Sequence, residues 1–142
     1  MQRPAHNLSP KVLRVLVIED SLDAVHSSVM LLREMGHIAD YAINGYVALE
    51  VARKFRPDYI LLDIGLPGGN GFEVCRQIRA DPELRSVKIV AVTAYSDAKY
   101  RERATAVGFD GYYVKPLLPQ TLSDILGEPL QNQPPKTLPH PP

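Results

Sequence analysis

Short apolar runs alternate along this chain with segments in which apolar residues recur at every third or fourth position. Runs rich in β-branched residues predict buried strands, and the longer spacing predicts the apolar face of a helix. Five strands are predicted, at residues 12–18, 37–42, 59–62, 87–92 and 111–114. A helix is predicted after each strand, and the fifth helix is short, at Pro119–Leu126. The apolar faces of the first four helices include, in order, Val25 and Val29, Ala48 and Ala52, Phe72 and Cys75, and Tyr100 and Ala104.

The order of these elements is strand then helix, repeated five times, with connections of only a few residues. Ser21 and Asp23 are both placed to cap the first helix, and Gly36 ends it. Because β-α-β crossovers are right-handed, this order predicts a parallel sheet with helices on both faces. We therefore predict an α/β fold of the flavodoxin-like (βα)5 type, a doubly wound parallel sheet with strand order 2-1-3-4-5.

Composition narrows the classes of function. The 142 residues suit one globular domain, and sixteen Lys and Arg residues balance sixteen Asp and Glu residues. Without a basic excess, a nucleic-acid partner is not expected. The single cysteine, Cys75, excludes an internal disulfide and a thiolate metal cage, and its spacing indicates a core position. No apolar run reaches the length of a membrane span, and no signal-like core opens the chain, so a cytoplasmic protein away from the membrane is expected.

Both ends of the chain differ in composition from its centre. Residues 1–10 are polar and contain Pro4 and Pro10, which predicts a flexible N-terminal extension. Residues 127–142 contain six prolines, which predicts a disordered C-terminal tail. The folded domain is therefore expected at residues 11–126.

The predicted third strand, Tyr59–Leu62, stops at one carboxylate, Asp63, and a glycine-containing loop follows. The carboxyl ends of parallel strands form the edge at which open α/β sheets bind ligands. An aspartate directly after a strand is also a common turn residue or helix cap. This stretch alone leaves both interpretations of Asp63 open.

Polar residues end the other central strands as well. Glu19 and Asp20 follow the first strand, Thr93 ends the fourth, and Lys115 follows the fifth. These strands are adjacent in the predicted order, so their polar ends are expected to converge on one shallow pocket with Asp63. Clustered carboxylates repel each other, and a hard divalent cation such as Mg²⁺ relieves that repulsion. Three carboxylates and one ammonium carry a charge of about −2, which suits a cation together with one phosphoryl group.

The motifs at these strand ends resemble the receiver domain of bacterial two-component response regulators, the CheY-like family. The resemblance covers about residues 11–126, and the motifs occur in the family's order and spacing. They are Val-Leu-Val-Ile-Glu19-Asp20, Leu-Leu-Asp63-Ile-Gly-Leu-Pro67, Val-Thr93-Ala94 and Tyr112-Tyr-Val-Lys115-Pro116.

The resemblance implies a role for each motif residue. Asp63 would be the phosphoacceptor, taking a phosphoryl group from a phosphohistidine on a histidine kinase or histidine phosphotransfer protein. Mg²⁺ would be bound by Asp20, by Asp63, by the backbone carbonyl of Gly65, and by Glu19 directly or through water. Lys115, the hydroxyl of Thr93 and the amide of Ala94 would contact the phosphoryl oxygens, and the Lys115-Pro116 bond is expected to be cis.

The same resemblance implies a switch at Thr93 and Tyr112. Movement of Thr93 toward the phosphoryl group would leave space into which Tyr112 rotates. The face formed by the fourth helix, the fifth strand and the fifth helix would then be remodelled for a downstream protein. The simpler alternative is that Tyr112 is an amphipathic edge residue.

Two residues near the expected site depart from the family's pattern. Gly65 has no side chain to orient a hydrolytic water, and Tyr95 is bulky enough to cover the phosphoryl group. We therefore expect slow autodephosphorylation. The protein is expected to receive phosphate rather than to act as an enzyme in the usual sense.

Three other functions compete with that of a phosphoacceptor receiver. A Mg²⁺-dependent hydrolase with an aspartyl nucleophile normally has a second acid two residues after the nucleophile, where this chain has Gly65. A pseudo-receiver would act only as a binding module. A flavodoxin-like cofactor binder needs a phosphate-cradling loop after the first strand, where Glu19 and Asp20 repel phosphate. A stand-alone regulator and a receiver of a hybrid kinase both fit the sequence.

Overall fold

The computed structural model describes residues 11–66 and 70–127. The strands are β1 (Arg14–Ile18), β2 (Ile38–Ala42), β3 (Tyr59–Leu62), β4 (Lys88–Thr93) and β5 (Gly111–Val114). The helices are α1 (Leu22–Glu34), α2 (Gly45–Phe55), α3 (Gly71–Ala80), α4 (Ala98–Val107) and α5 (Pro119–Leu126). The N-terminal extension predicted for residues 1–10 and nearly all of the predicted tail lie outside the described residues. Within the described ranges, no helix is long and apolar enough to cross a membrane.

The five strands form one parallel sheet in the order β2-β1-β3-β4-β5, as predicted. The register places Ile18 beside both Ala42 and Leu62, and it places Leu62 beside Ala91. The strands therefore end nearly level along one edge. The residue that follows each strand is brought to that same edge.

Strand residues alternate between two apolar cores on opposite faces of the sheet. Leu16 and Ile18 of β1 point into a core that α2, α3 and α4 cover. Val15 and Val17 point into a second core, which α1 and α5 cover. Cys75 is fully buried in the first core, as its helical spacing predicts. Because both faces of the sheet are covered, the strand sequences are nearly continuous apolar runs.

β3, β5 and α5 have the predicted bounds, whereas the ends of β1, β2 and β4 differ from the predicted ones by one or two residues. His37 precedes β2 because its amide donates to the Leu32 carbonyl and so belongs to the turn that ends α1. Val87 precedes β4 because its amide donates to Leu84 in a turn. Thr93 extends β4 by one residue, since its carbonyl accepts from the Lys115 amide at 2.8 Å. Backbone hydrogen bonds to neighbouring turns thus decide these ends.

Side-chain caps fix where three helices begin. Ser21, rather than Asp23, caps α1 by accepting from the Ala24 amide. Asn44 and Asn70 cap α2 and α3 in the same way. Such caps satisfy amides that have no partner inside the helix. The Gly71 amide at the start of α3 donates to the Ile64 carbonyl at 3.2 Å, which places the first turn of that helix close to the end of β3.

Candidate functional site

Three carboxylates meet at the carboxyl edge of the sheet. Glu19, Asp20 and Asp63 each offer an oxygen, and these oxygens lie within 4.8 Å of one another. The amide of Glu19 donates to Ala42 of β2, and the amide of Asp63 donates to Ile18 of β1, both at 3.0 Å. Glu19 and Asp63 are buried, whereas Asp20 is exposed. The sheet itself therefore holds the cluster together, and only its outer member faces solvent fully.

Lys115 bridges the two buried carboxylates. Its ammonium donates to Glu19 Oε1 at 2.5 Å and to Asp63 Oδ2 at 3.0 Å. The peptide bond that follows it, Lys115-Pro116, is cis, as the resemblance implied. The predicted convergence of the ends of β1, β3 and β5 is thus present.

Burial and charge shift the pKa values of the bridging pair. Burial raises the pKa of Glu19, and this effect outweighs the hydrogen bonds that Lys115 and the Ser21 amide donate to it. Burial alone would lower the pKa of Lys115, but its hydrogen bonds to Glu19 and Asp63 and their negative charges raise it overall. Lys115 therefore stays an ammonium at neutral pH and offsets part of the charge of the cluster.

The Asp63 carboxylate is oriented from its own loop as well. Its Oδ1 accepts from the Gly65 amide at 2.9 Å, which leaves Oδ2 for Lys115. The first turn of α3 packs directly behind, where Gly71 donates to the Ile64 carbonyl. A Cβ on Gly71 would lie only 2.6 Å from the Asp63 carbonyl oxygen, so this position has no room for a side chain. The strand-end motifs do not include Gly71, although its place directly after the helix cap Asn70 is typical of a close helix start.

The donor set fits a hard divalent cation. Three carboxylates whose oxygens lie within 4.8 Å of one another supply the oxygen ligands that Mg²⁺ prefers. Gly65 lies two residues beyond Asp63 at the same edge and is exposed. The cluster carries more negative charge than Lys115 neutralises, which favours a bound cation.

Thr93 and Ala94 lie at the same edge but do not join the carboxylates. Thr93 is 1% exposed, and its hydroxyl accepts from the Tyr95 amide at 3.4 Å. Ala94 follows it and is exposed. Among the described residues, no hydrogen bond links either of them to Glu19, Asp20 or Asp63.

A cluster of tyrosines flanks Asp63 on the side of β4 and β5. Tyr112 donates its hydroxyl to the Tyr95 carbonyl at 2.7 Å, and the guanidinium of Arg101 lies 4.8 Å from the Tyr112 ring centre. Burial raises the pKa of Tyr112. The Tyr95 ring stacks on Tyr100 of α4, with centroids 4.8 Å apart and planes 18° from parallel. The sequence predicts Tyr100 on the apolar face of the fourth helix but not its stack on Tyr95, because a contact between two elements leaves no local pattern in the sequence.

Two curated proteins show how far the similarity extends. The chain is 34% identical to the polar-differentiation response regulator DivK of Brucella anthropi over 122 residues, which is 80% of this chain and 96% of that protein. It is 38% identical to the DNA-binding response regulator MtrA of Mycolicibacterium paratuberculosis over 109 residues. That match takes in 77% of this chain but 47% of MtrA, so the chain spans about half the length of this relative.

A solved structure carries the same fold with a metal in place. The receiver domain of the sensor histidine kinase PA1611 from Pseudomonas aeruginosa, with a magnesium ion coordinated in its active site cleft, aligns with a TM-score of 0.74 and 31% identity. The alignment covers 82% of this chain and 95% of that domain. Residues 15–127 match the family described as the response regulator receiver domain. With the fold, the acidic cluster and the bridging lysine in agreement, the chain belongs to the response regulator receiver domain family.

Proposed function

We propose that this receiver accepts a phosphoryl group on Asp63 from a phosphohistidine and then switches a protein-interaction face. The observation that carries the proposal is the way Asp63 is held. Its carboxylate is buried, accepts from the Gly65 amide and the Lys115 ammonium, and adjoins Glu19 and Asp20. A carboxylate used only as a turn or helix cap would not need an ammonium and two further carboxylates beside it.

The transfer is a displacement at phosphorus. An Asp63 carboxylate oxygen attacks the phosphorus atom, a P–O bond forms, and the P–N bond to the donor imidazole breaks. The departing imidazole nitrogen keeps the electron pair of that bond. Lys115 already contacts Asp63 at 3.0 Å and is placed to pair with the phosphoryl oxygens as the carboxylate charge is consumed. We propose the Thr93 hydroxyl and the Ala94 amide as further donors to those oxygens.

Mg²⁺ is the proposed cofactor. Asp20, Asp63 and the Gly65 carbonyl would hold it, together with Glu19 directly or through water. Once bound, the ion supplies positive charge beside the transferring phosphoryl group. The magnesium in the PA1611 receiver and the spacing of the carboxylates in this chain support the assignment.

The proposed switch joins Thr93 to Tyr112. Turning the Thr93 hydroxyl toward a phosphoryl group would break its hydrogen bond from the Tyr95 amide. Tyr112 is tied to the same residue through the Tyr95 carbonyl, so the two changes are linked. The face formed by α4, β5 and α5 would then present a different surface to a downstream protein.

The proposed partners are a histidine kinase or histidine phosphotransfer protein as donor, and a protein as output. We propose a cytoplasmic setting away from nucleic acid and membrane. Two forms of the whole protein suit the relatives. DivK, matched over 96% of its length, supports a stand-alone regulator, and the PA1611 receiver supports a domain of a sensor kinase.

A fluoride mimic of the phosphoryl group tests the proposal. Fluoroberyllate and Mg²⁺ are added to the full chain, and bound fluorine is followed by ¹⁹F NMR. Wild type is expected to show a bound signal, and Asp63→Asn is expected to show none. Asp58→Asn is the matched control, because Asp58 is exposed and precedes the same strand at its opposite end. Absence of a bound signal in wild type would contradict the proposal and would indicate a pseudo-receiver that acts only as a binding module.

A further inference from the structure

The side chain of Tyr95 lies close to the proposed phosphoacceptor. A Cβ built on Gly65 would lie 3.3 Å from the Tyr95 hydroxyl and 3.6 Å from Asp63 Oδ1. The hydroxyl and the carboxylate therefore both lie within 4 Å of the position that a side chain at residue 65 would occupy, and glycine leaves that position open. Any group attached to the Asp63 carboxylate enters the neighbourhood of that hydroxyl.

The backbone of Tyr95 is held more firmly than its ring. Its amide donates to the Thr93 hydroxyl, and its carbonyl accepts from the Tyr112 hydroxyl at 2.7 Å. Its side chain, in contrast, lies at the surface, and the residue is 44% exposed. A response of the exposed Tyr95 side chain to a new neighbour is therefore a rotation of its ring.

The ring is joined to α4 by its stack on Tyr100, which itself packs on the core beneath α4. Ala104 is the one buried residue of α4, and Asp97 gives the helix no side-chain cap. Its other contacts are half-buried or exposed, and they include Val107 on the core and Arg103 over the Phe72 ring. Helix α3 of equal length buries five residues by comparison. A helix with so few buried contacts is readily shifted by a change at one of them.

We propose that Tyr95 relays the occupancy of Asp63 to helix α4 through its stack on Tyr100, with Gly65 providing the room. The inference rests on the proposed phosphoacceptor role of Asp63. A phosphoryl group brings three hydrogen-bond acceptors beside the Tyr95 hydroxyl, the hydroxyl turns to donate to one of them, and the ring turns with it. The altered stack moves Tyr100 and with it α4. This route runs through the Tyr95 side chain, whereas the switch proposed above runs through the Tyr95 backbone amide and carbonyl.

The first test uses the full chain with fluoroberyllate and Mg²⁺ and two readouts. Bound ¹⁹F signal reports occupancy of Asp63, and amide chemical shifts of Ala98–Val107 report the response of α4. We expect Tyr95→Phe and Tyr95→Ala to bind the mimic while the α4 response falls by about half or more. Tyr46→Ala, at a tyrosine of α2 that is 78% exposed, is the matched control and should keep the full response.

The outcomes of this test separate the two proposals. Bound mimic with an undiminished α4 response in both Tyr95 variants overturns the relay and leaves the phosphoacceptor role intact. Absence of bound mimic in wild type overturns the phosphoacceptor role, and the relay falls with it.

A second test needs no phosphoryl group. In Gly65→Ala the new methyl group would press on the Tyr95 hydroxyl at 3.3 Å, so the ring must give way by a few tenths of an ångström. We expect α4 amide shifts to change in this variant without any ligand, and to return toward wild type in Gly65→Ala/Tyr95→Phe, which lacks the hydroxyl. Unchanged α4 shifts in Gly65→Ala, or equal changes in the double variant, would overturn the relay.

Discussion

Replacing Lys115 with methionine should destabilise the domain by an amount set by the burial of its partners. Methionine keeps most of the length of the side chain but removes the ammonium that bridges Glu19 and Asp63. Removing one member of a fully buried ion pair costs ~3–5 kcal/mol, whereas exposed pairs contribute ~0–1 kcal/mol. The Lys115 side chain is 30% exposed and the carboxylates are 7% and 11% exposed, which places the expected loss between these limits, at about 2 kcal/mol.

Magnesium should restore much of this loss. Without Lys115, the three carboxylates have no bridging cation, so the folded variant should bind Mg²⁺ more tightly than wild type does. Binding to the folded state alone stabilises it in proportion to the logarithm of ligand concentration over Kd. The stabilisation by Mg²⁺ is therefore expected to be larger in Lys115→Met than in wild type.

Urea unfolding followed by circular dichroism, in EDTA and in excess Mg²⁺, measures both effects. Lys54→Met is the matched control, since Lys54 pairs with Glu50 at 3.5 Å with both side chains exposed. It should lose at most ~0.5 kcal/mol and gain no extra stabilisation from Mg²⁺. The reasoning is refuted if Lys115→Met loses no more stability than Lys54→Met, or if Mg²⁺ stabilises both variants equally.

Three further predictions follow from single contacts. Gly71→Ala should lower the free energy of unfolding, measured in urea, by ~1–3 kcal/mol, because the new Cβ would lie 2.6 Å from the Asp63 carbonyl oxygen. This loss is expected although alanine favours helices. Equal or higher stability would contradict the prediction. Burial raises the pKa of the Cys75 thiol from 9.0 to about 11. Because the thiolate is the form that reacts, iodoacetamide at pH 8 should modify Cys75 ~100-fold more slowly in the folded chain than in urea. Equal rates of modification would contradict the burial of this thiol. Phosphorylated wild type should lose phosphate slowly, and Tyr95→Ala should lose it several-fold faster because the side chain that shields Asp63 from water is removed. Loss of phosphate from wild type within seconds would contradict this shielding.

The order and type of the elements were predictable because the patterns that encode them are local. Helix α5 and strand β5 have the predicted bounds, since Pro119 starts the helix and the run Gly111–Val114 stops at Lys115. The predicted start of β2 was one residue early because the His37 amide closes the turn after α1. His37 is also buried, and its Nδ1 accepts from the Leu13 amide. That contact joins residues 24 positions apart, so no local sequence pattern predicts it.

The candidate site was predictable to the extent that it follows from topology. Parallel strands in the order 2-1-3-4-5 bring Glu19, Asp63 and Lys115 to one edge whatever their side chains do. Side-chain contacts between elements were not predictable in this way. The Tyr95–Tyr100 stack and the close approach of Gly71 to Asp63 depend on the positions in which α4 and α3 pack against the sheet. Packing of that kind is determined by the whole core rather than by any short stretch.

The most direct test of the central claim is the site of covalent phosphorylation. The full chain is incubated with phosphoramidate and Mg²⁺, and intact mass and peptide mass spectrometry then locate the added group. We expect one acid-labile phosphoryl group on Asp63, lost in Asp63→Asn and when EDTA replaces Mg²⁺, and retained in Asp58→Asn. Phosphorylation of Asp63→Asn to the wild-type extent, or an unmodified wild type, would contradict it.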